Sequence, residues 1–340
     1  MGAGAAIASS ALAVSLGDPA GVGPELLAEA WARREAEHLG PFFAVGGERL
    51  LAEAAALRGL DIEIRRVASP EAALAAFPHA LPVLGEWDGD YRPGEPSRGG
   101  AGLALASLTE ATRLAVTGAA AGVVTGPIAK SRLAEVGFGH PGQTEFVAEA
   151  CGYDPGDVVM MLAGPNLRTV PLTVHIPLSE VPRHLTEACV ERRGRITALA
   201  LMRDFGIAAP RLAFAALNPH AGEDGRMGDE EARIIAPALA RLRAEGIDAT
   251  GPFAADGLFA PRARATYDVA LCAYHDQALI PLKALDFDSG VNVTLGLPII
   301  RTSPDHGTAF AIAGKRLANA GATIASIRMA GECAARRLGR

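Results

Sequence analysis

Leu12-Ala13-Val14-Ser15-Leu16, running straight into Gly17-Asp18-Pro19-Ala20-Gly21-Val22-Gly23-Pro24-Glu25, is the stretch on which the fold turns. The short, mostly apolar run reads as a buried strand, and the glycines read as a tight turn. Pro24 suits the first turn of a helix, where its missing N–H costs nothing. Strand, glycine loop and helix in that order make a βα unit. The loop offers backbone N–H groups and a helix N-terminus to a phosphate or pyrophosphate. It matches neither Gly-x-Gly-x-x-Gly nor the Walker pattern, so a purely structural turn reads equally well from the loop alone.

The same alternation continues outward. Phe42–Val45 leads into a helix at 49–57, and 62–67 into a helix over Pro70–Ala76. Residues 85–102, rich in Gly, Pro and charge, read as a surface loop before a helix at 103–116. Apolar runs at 170–174, 212–217 and 269–273 read as strands. Helices are expected near 184–204 and 229–245, an extended Val291–Leu295 follows, and a terminal helix covers about 315–333. With 340 residues, 49% of them hydrophobic, the chain has room for two domains of ~150 residues each, and the alternation argues α/β.

The net charge of −6 comes without a long basic block, so no nucleic-acid partner is expected. No run of ~18 uncharged apolar residues reads as a membrane span. The apolar start carries no Lys or Arg and feeds directly into the glycine loop, which argues against an export signal. Cys151, Cys189, Cys272 and Cys333 lack metal-finger spacing and read as reduced thiols of a cytoplasmic protein.

Three histidines then stand out. His175 lies in Thr173-Val174-His175-Ile176-Pro177, His220 in Leu217-Asn218-Pro219-His220-Ala221-Gly222, and His275 in Ala273-Tyr274-His275-Asp276-Gln277. Each follows one of the apolar runs. Ligands of open α/β sheets gather at the carboxyl ends of strands, where three imidazoles can converge on one ion and leave coordination positions open. Unrelated strand-end histidines read about as well from spacing alone. Thr144 sits where it would cap a helix. Thr125-Gly126-Pro127-Ile128-Ala129-Lys130 is a second strand-to-helix turn, with a cation at its end. Lys283, Asn292 and Arg301 follow His275. Asn292 lies on an otherwise apolar strand and needs a partner, and Arg301 emerges from Pro298-Ile299-Ile300 and suits a carboxylate or phosphate.

Taken in order, the Gly17–Glu25 run, Leu217–Glu223, Gly251-Pro252-Phe253-Ala254-Ala255-Asp256, Tyr274-His275-Asp276-Gln277, Val291–Pro298 and Arg301–Ala309 resemble the 4-hydroxythreonine-4-phosphate dehydrogenase family of vitamin B6 synthesis. The likeness extends from about Ala13 to Ala330. It implies two α/β/α domains with a cleft, similar to the isocitrate and isopropylmalate dehydrogenases. The expected division is 1–125 plus 290–340 on the cofactor side and 126–289 for metal and dimer.

The resemblance further implies one divalent metal (Zn, Mg or Co) on His175, His220 and His275, completed across a homodimer. Substrate contacts fall to Gln143, Thr144, Lys283, Asn292 and Arg301, with Lys283 and Asp256 as candidates for the proton acceptor. The segment His306, Gly307, Thr308, Ala309 to Asn319 resembles the NAD loop of the β-decarboxylating dehydrogenases. The implied reaction oxidises 4-(phosphooxy)-L-threonine to a β-keto acid that decarboxylates. The family reads Gly-His-Thr-Glu where this chain has Gly142-Gln143-Thr144-Glu145. That departure keeps open another phosphorylated hydroxy acid or a dihydrodiol dicarboxylate as substrate.

Overall fold

A computed structural model describes residues 11–339, so most of the apolar start lies outside the described residues. The chain divides into two compact units, Met1–Asp157 with Leu297–Arg340, and Val158–Gly296.

The first unit carries strands β1 (Leu12–Ser15), β2 (Phe42–Val45), β3 (Ile64–Val67), β4 (Leu81–Leu84), β5 (Val123–Thr125) and β12 (Arg301–Pro304). They lie in the order β3-β4-β2-β1-β5-β12, every neighbouring pair parallel. Its helices are α1 (Gly23–Ala32), α2 (Glu48–Arg58), α3 (Pro70–Ala76), α4 (Arg98–Val116), α5 (Lys130–Ala134), α6 (Gln143–Ala150) and α13 (Gly321–Arg337). β1, β2, β5 and β12 are buried throughout, as parallel strands covered on both faces must be. From β1 the chain goes to β2 on one side and later returns to β5 on the other. The β1/β5 junction is therefore a topological switch point, where open α/β sheets bind ligands.

The second unit holds β6 (Val159–Ala163), β7 (Arg168–Pro171), β8 (Arg211–Ala215), β9 (Asp248–Phe253), β10 (Val269–Cys272) and β11 (Val291–Leu295), in the order β11-β6-β7-β10-β8-β9. β6 runs antiparallel to both neighbours, and β7, β10, β8 and β9 run parallel to one another. Helices α7 (Val181–His184), α8 (Glu187–Phe205), α9 (Ala236–Ala244), α10 (Ala255–Leu258), α11 (Pro261–Arg264) and α12 (His275–Asp286) belong to this unit.

Several expectations need correction. Residues 126–157 pack with the first unit, because α5 and α6 lie against α4. β11 belongs with the second unit, because it pairs with β6. α4 begins at Arg98, inside the expected loop, because the Ser97 hydroxyl accepts the Gly100 N–H at 3.0 Å and caps it. The terminal helix begins at Gly321, six residues late, since Ala309, Gly314 and Arg316 all take positive φ and break the helical path before it. β7 stops at Pro171, although Leu172 N–H still reaches Cys272 O at 2.7 Å. All four cysteines are free thiols. No helix among the described residues is long and apolar enough to cross a membrane.

Candidate active site

In the first unit three loops leave the carboxyl ends of the adjacent strands β1, β5 and β12. The Gly17–Glu25 loop follows β1, Gly126–Lys130 follows β5, and His306–Ala309 follows β12. They are tied edge to edge: Asp18 N–H donates to Pro127 O at 2.8 Å, and Val22 N–H to Thr308 O at 2.9 Å. Glycine is required where they touch. A Cβ on Gly17, which sits at φ +70°, would lie 2.5 Å from Pro127 O, and one on Gly21 would lie 2.7 Å from Thr308 O.

Asp18 is buried, with Oδ1 accepting the Ala20 N–H at 3.0 Å and Oδ2 lacking a hydrogen-bond partner. Burial raises its pKa, against the lowering effects of that backbone bond and of Arg132. Glu25, fully buried on α1, accepts the Gly314 N–H at 3.2 Å and so fastens the 306–319 segment to the loop's helix. His306 Nδ1 lies 2.9 Å from Gly307 O, while its Nε2 is buried with no hydrogen-bond partner. Asn319 Oδ1 accepts the Gly321 N–H and turns the chain into α13.

Arg301, 4% exposed, reaches from β12 to Thr125 Oγ1 at 2.8 Å and to Thr144 Oγ1 at 3.4 Å. Burial pushes its pKa down to about 10, with Glu145 opposing that shift. Thr144 is not the cap expected of it. The N-cap of α6 is Gly142, two residues earlier, and the Thr144 hydroxyl is turned to Arg301 instead. Gln143 Nε2 donates to Gly126 O at 3.0 Å, leaving Oε1 buried without a partner. Arg301, Thr144 and Gln143 thus form one polar group around the β5 end, with an unused acceptor in it.

The second unit answers the histidine question in part. β7, β10 and β8 are adjacent and parallel, so the segments carrying His175, His275 and His220 leave the same sheet edge within about 10 Å of one another. Two side chains missed by the sequence reading lace that edge together. Thr173 Oγ1 donates to Ala273 O at 2.8 Å, joining the ends of β7 and β10. The Gln277 amide accepts from Ala273 N–H at 2.6 Å and donates to Ala216 O at 2.9 Å, joining β10 to β8. Their polarity amid apolar strand ends was the available signal.

His175 and His275 come together, with ring centroids 5.6 Å apart, beside a cavity of about 230 Å³ lined also by Thr173, Ile176, Tyr274 and Asp276. His275 Nδ1 lies 2.7 Å from Asp276 Oδ1, a carboxylate–imidazole pairing that leaves Nε2 for a cation. His175 and His220 both hold positive φ, 53° and 52°. Such backbone costs on the order of 1 kcal/mol or more per residue and gathers at functional positions. Among the described residues no three His, Cys, Asp or Glu side chains converge on one point, so His220 does not join the pair within the chain. The donor set and its supports nonetheless suit a divalent ion.

Lys283 is half-buried on α12, the helix that begins with His275. Asn292 sits on β11 with Oδ1 buried and without a partner. Asp256 is exposed, and its Oδ1 accepts the adjacent Gly257 N–H.

The family model of the pyridoxal phosphate biosynthetic protein PdxA matches residues 38–330. A 4-hydroxythreonine-4-phosphate dehydrogenase of Erythrobacter litoralis is 60% identical over 326 residues, covering 96% of this chain and 97% of that protein. The crystal structure of a 4-hydroxythreonine-4-phosphate dehydrogenase from Klebsiella pneumoniae superposes with a TM-score of 0.84 at 37% identity, over 96% of this chain and 100% of that one. A terephthalate 1,2-cis-dihydrodiol dehydrogenase from Burkholderia xenovorans is more distant, with a TM-score of 0.64 at 29% identity, over 95% and 97%. Fold and matches together define an α/β dehydrogenase, an oxidoreductase. Within that class the chain belongs to the 4-hydroxythreonine-4-phosphate dehydrogenase family, PdxA.

Proposed function

We propose that the protein oxidises 4-(phosphooxy)-L-threonine with NAD and one divalent metal (Zn, Mg or Co). The product is a β-keto acid that decarboxylates to 3-amino-2-oxopropyl phosphate on the route to pyridoxine 5′-phosphate. The observation that carries this reading is the edge formed by β7, β10 and β8, which presents His175, His275 and His220 and is laced by Thr173 and Gln277. When bound, the metal supplies a Lewis acid at the substrate alcohol and NAD the hydride acceptor.

The chain's own residues do the rest. His175, His220 and His275 hold the ion as neutral imidazoles. Arg301, Thr144 and Gln143 take an anionic end of the substrate, a buried guanidinium being the strongest donor available for it. Asn292, whose Oδ1 has no partner, accepts a substrate N–H or O–H. Lys283 is the favoured proton acceptor, since it shares α12 with His275 and is less exposed than Asp256, the other candidate. His306, Gly307, Thr308, Ala309 and Asn319 receive NAD beside the switch point. Cytoplasmic residence accords with the four free thiols.

The test is NADH formation by the full-length protein with a panel of phosphorylated hydroxy acids and a dihydrodiol dicarboxylate, before and after chelation. Turnover is expected with 4-(phosphooxy)-L-threonine, lost on chelation and restored by Zn²⁺, Mg²⁺ or Co²⁺. Turnover indifferent to chelation would overturn the metal reading. A preference for the dihydrodiol would instead favour the chemistry named for the Burkholderia relative, a reading to which the neutral Gln143 lends weight.

Gln143 itself yields a prediction. A neutral hydrogen bond contributes ~1 kcal/mol and a charge-assisted one ~1.5–3 kcal/mol, so Gln143→His is expected to lower KM for 4-(phosphooxy)-L-threonine about tenfold. A histidine is cationic only below its pKa, so the gain should grow as pH falls below about 6.5. KM values equal to wild type at both pH 6 and pH 8 would leave Gln143 with only its bond to Gly126 O.

A further inference from the structure

His220 opens a run of six residues at positive φ, His220 to Gly225, with φ of 52°, 54°, 80°, 44°, 55° and 88°. Only Gly222 and Gly225 take such backbone readily, so four side-chain-bearing residues are held against their preference. What holds them lies directly beyond the turn. Glu231, 6% exposed at the start of a π-helical turn, accepts Asn218 N–H at Oε1 (2.8 Å) and Asn218 Nδ2–H at Oε2 (3.1 Å). Glu230 Oε2 accepts from the same Nδ2 at 2.7 Å. The Glu231 carboxylate also lies under the middle of the turn, where a Cβ on Gly222 would fall 2.8 Å from its Oε2 and 2.8 Å from Gly228 O. Met227 N–H closes the loop onto Gly222 O at 3.0 Å.

We propose that Glu231, acting through Asn218, is a positioning residue that clamps this left-handed turn and thereby fixes where His220 presents its imidazole to a divalent cation. The inference rests on the reading of His220 as a metal ligand. Both carboxylate oxygens are engaged with Asn218 and the carboxylate is packed beneath Gly222, so Glu231 acts through the loop and does not itself bind the ion. The two contacts bracket His220, one two residues before it and one two residues after. A π-helical turn starting at Glu231 agrees with this, because such turns recur at functional sites. Glutamine at 231 would keep one acceptor but set an N–H against the Asn218 amide.

The test is calorimetric titration of Mn²⁺ or Zn²⁺ into the metal-free full-length protein as wild type, Glu231→Gln, Asn218→Ala, the double variant and His220→Ala. Outer-shell partners of metal ligands are typically worth 10–100-fold in affinity. Each clamp variant should therefore raise Kd by ~10–100-fold, the double variant no more than the worse single, and His220→Ala at least as much. Metal-free melting curves should stay close to wild type. Asn218→Ala keeps the question open to test if Glu231→Gln folds poorly, because it removes only a half-buried side chain. Wild-type affinity in both clamp variants, beside a weakened His220→Ala, would refute the clamp and leave the three-histidine site standing. Wild-type affinity in His220→Ala would remove the ligand and, with it, the inference.

Discussion

Alanine at His175, His220 or His275 is expected to lower kcat/KM by about three decades or more while leaving the protein folded. The size follows from the role: a Lewis acid at a reacting oxygen supplies several kcal/mol of barrier lowering, and each ~1.4 kcal/mol is one decade. The tolerance follows from position. His175 and His220 are exposed, and His275 is about one-third exposed with a neighbouring carboxylate as its partner, so truncation opens no buried cavity. At His175 and His220 the backbone is already left-handed, and alanine inherits that strain without adding to it. Turnover, metal content and melting temperature should be read together on each variant. One variant with near wild-type turnover and unchanged metal content would sink the three-histidine site. A collapse in melting temperature would show instead that the residue is structural.

How much of this was legible in the sequence differs from element to element. The βα units of the first half were, because Phe42–Val45 and Pro70–Ala76 are bounded by strong local signals, and Pro24 does open α1. α4 was partly hidden: Gly99, Gly100 and Gly102 are poor helix formers, and the Ser97 cap with packing on β1 overrides them. That three histidines follow three strands was readable. That β7, β10 and β8 are neighbours was not, because strand order depends on pairings such as Ala270 with Thr169 and Val269 with Leu212, far apart in sequence, that no local pattern encodes. The lacing by Thr173 and Gln277 hides for the same reason. The left-handed run after Pro219 was hidden differently, since only Gly222 and Gly225 hint at it and the bonds that enforce it come from Glu231. Thr144 shows the reverse failure: a plausible local cap gave way to a tertiary partner, Arg301.

Mixing inactive variants should restore activity in a pattern that reads out how the ligands are shared between two copies. Leu178, which lines the His175/His275 cavity, Ile280 on α12 and Phe287 just past its end are 66%, 65% and 73% exposed. His175 and His275 meet within one chain, whereas His220 does not join them. In a two-fold dimer the natural division is therefore a His175–His275 pair from one protomer and His220 from its partner. Reassorting His220→Ala with His275→Ala then gives mixed dimers in which one site keeps all three ligands and the other loses two. With half the dimers mixed and one good site in each, activity should recover to about a quarter of wild type from near zero. His220→Ala with His175→Ala should recover equally. His175→Ala with His275→Ala should stay silent, because each of its sites lacks one member of the pair. No recovery in any mixture would place all three ligands on one chain, and recovery in the His175/His275 mixture together with one of the others would split the pair between protomers. An active monomer in sedimentation would refute sharing outright.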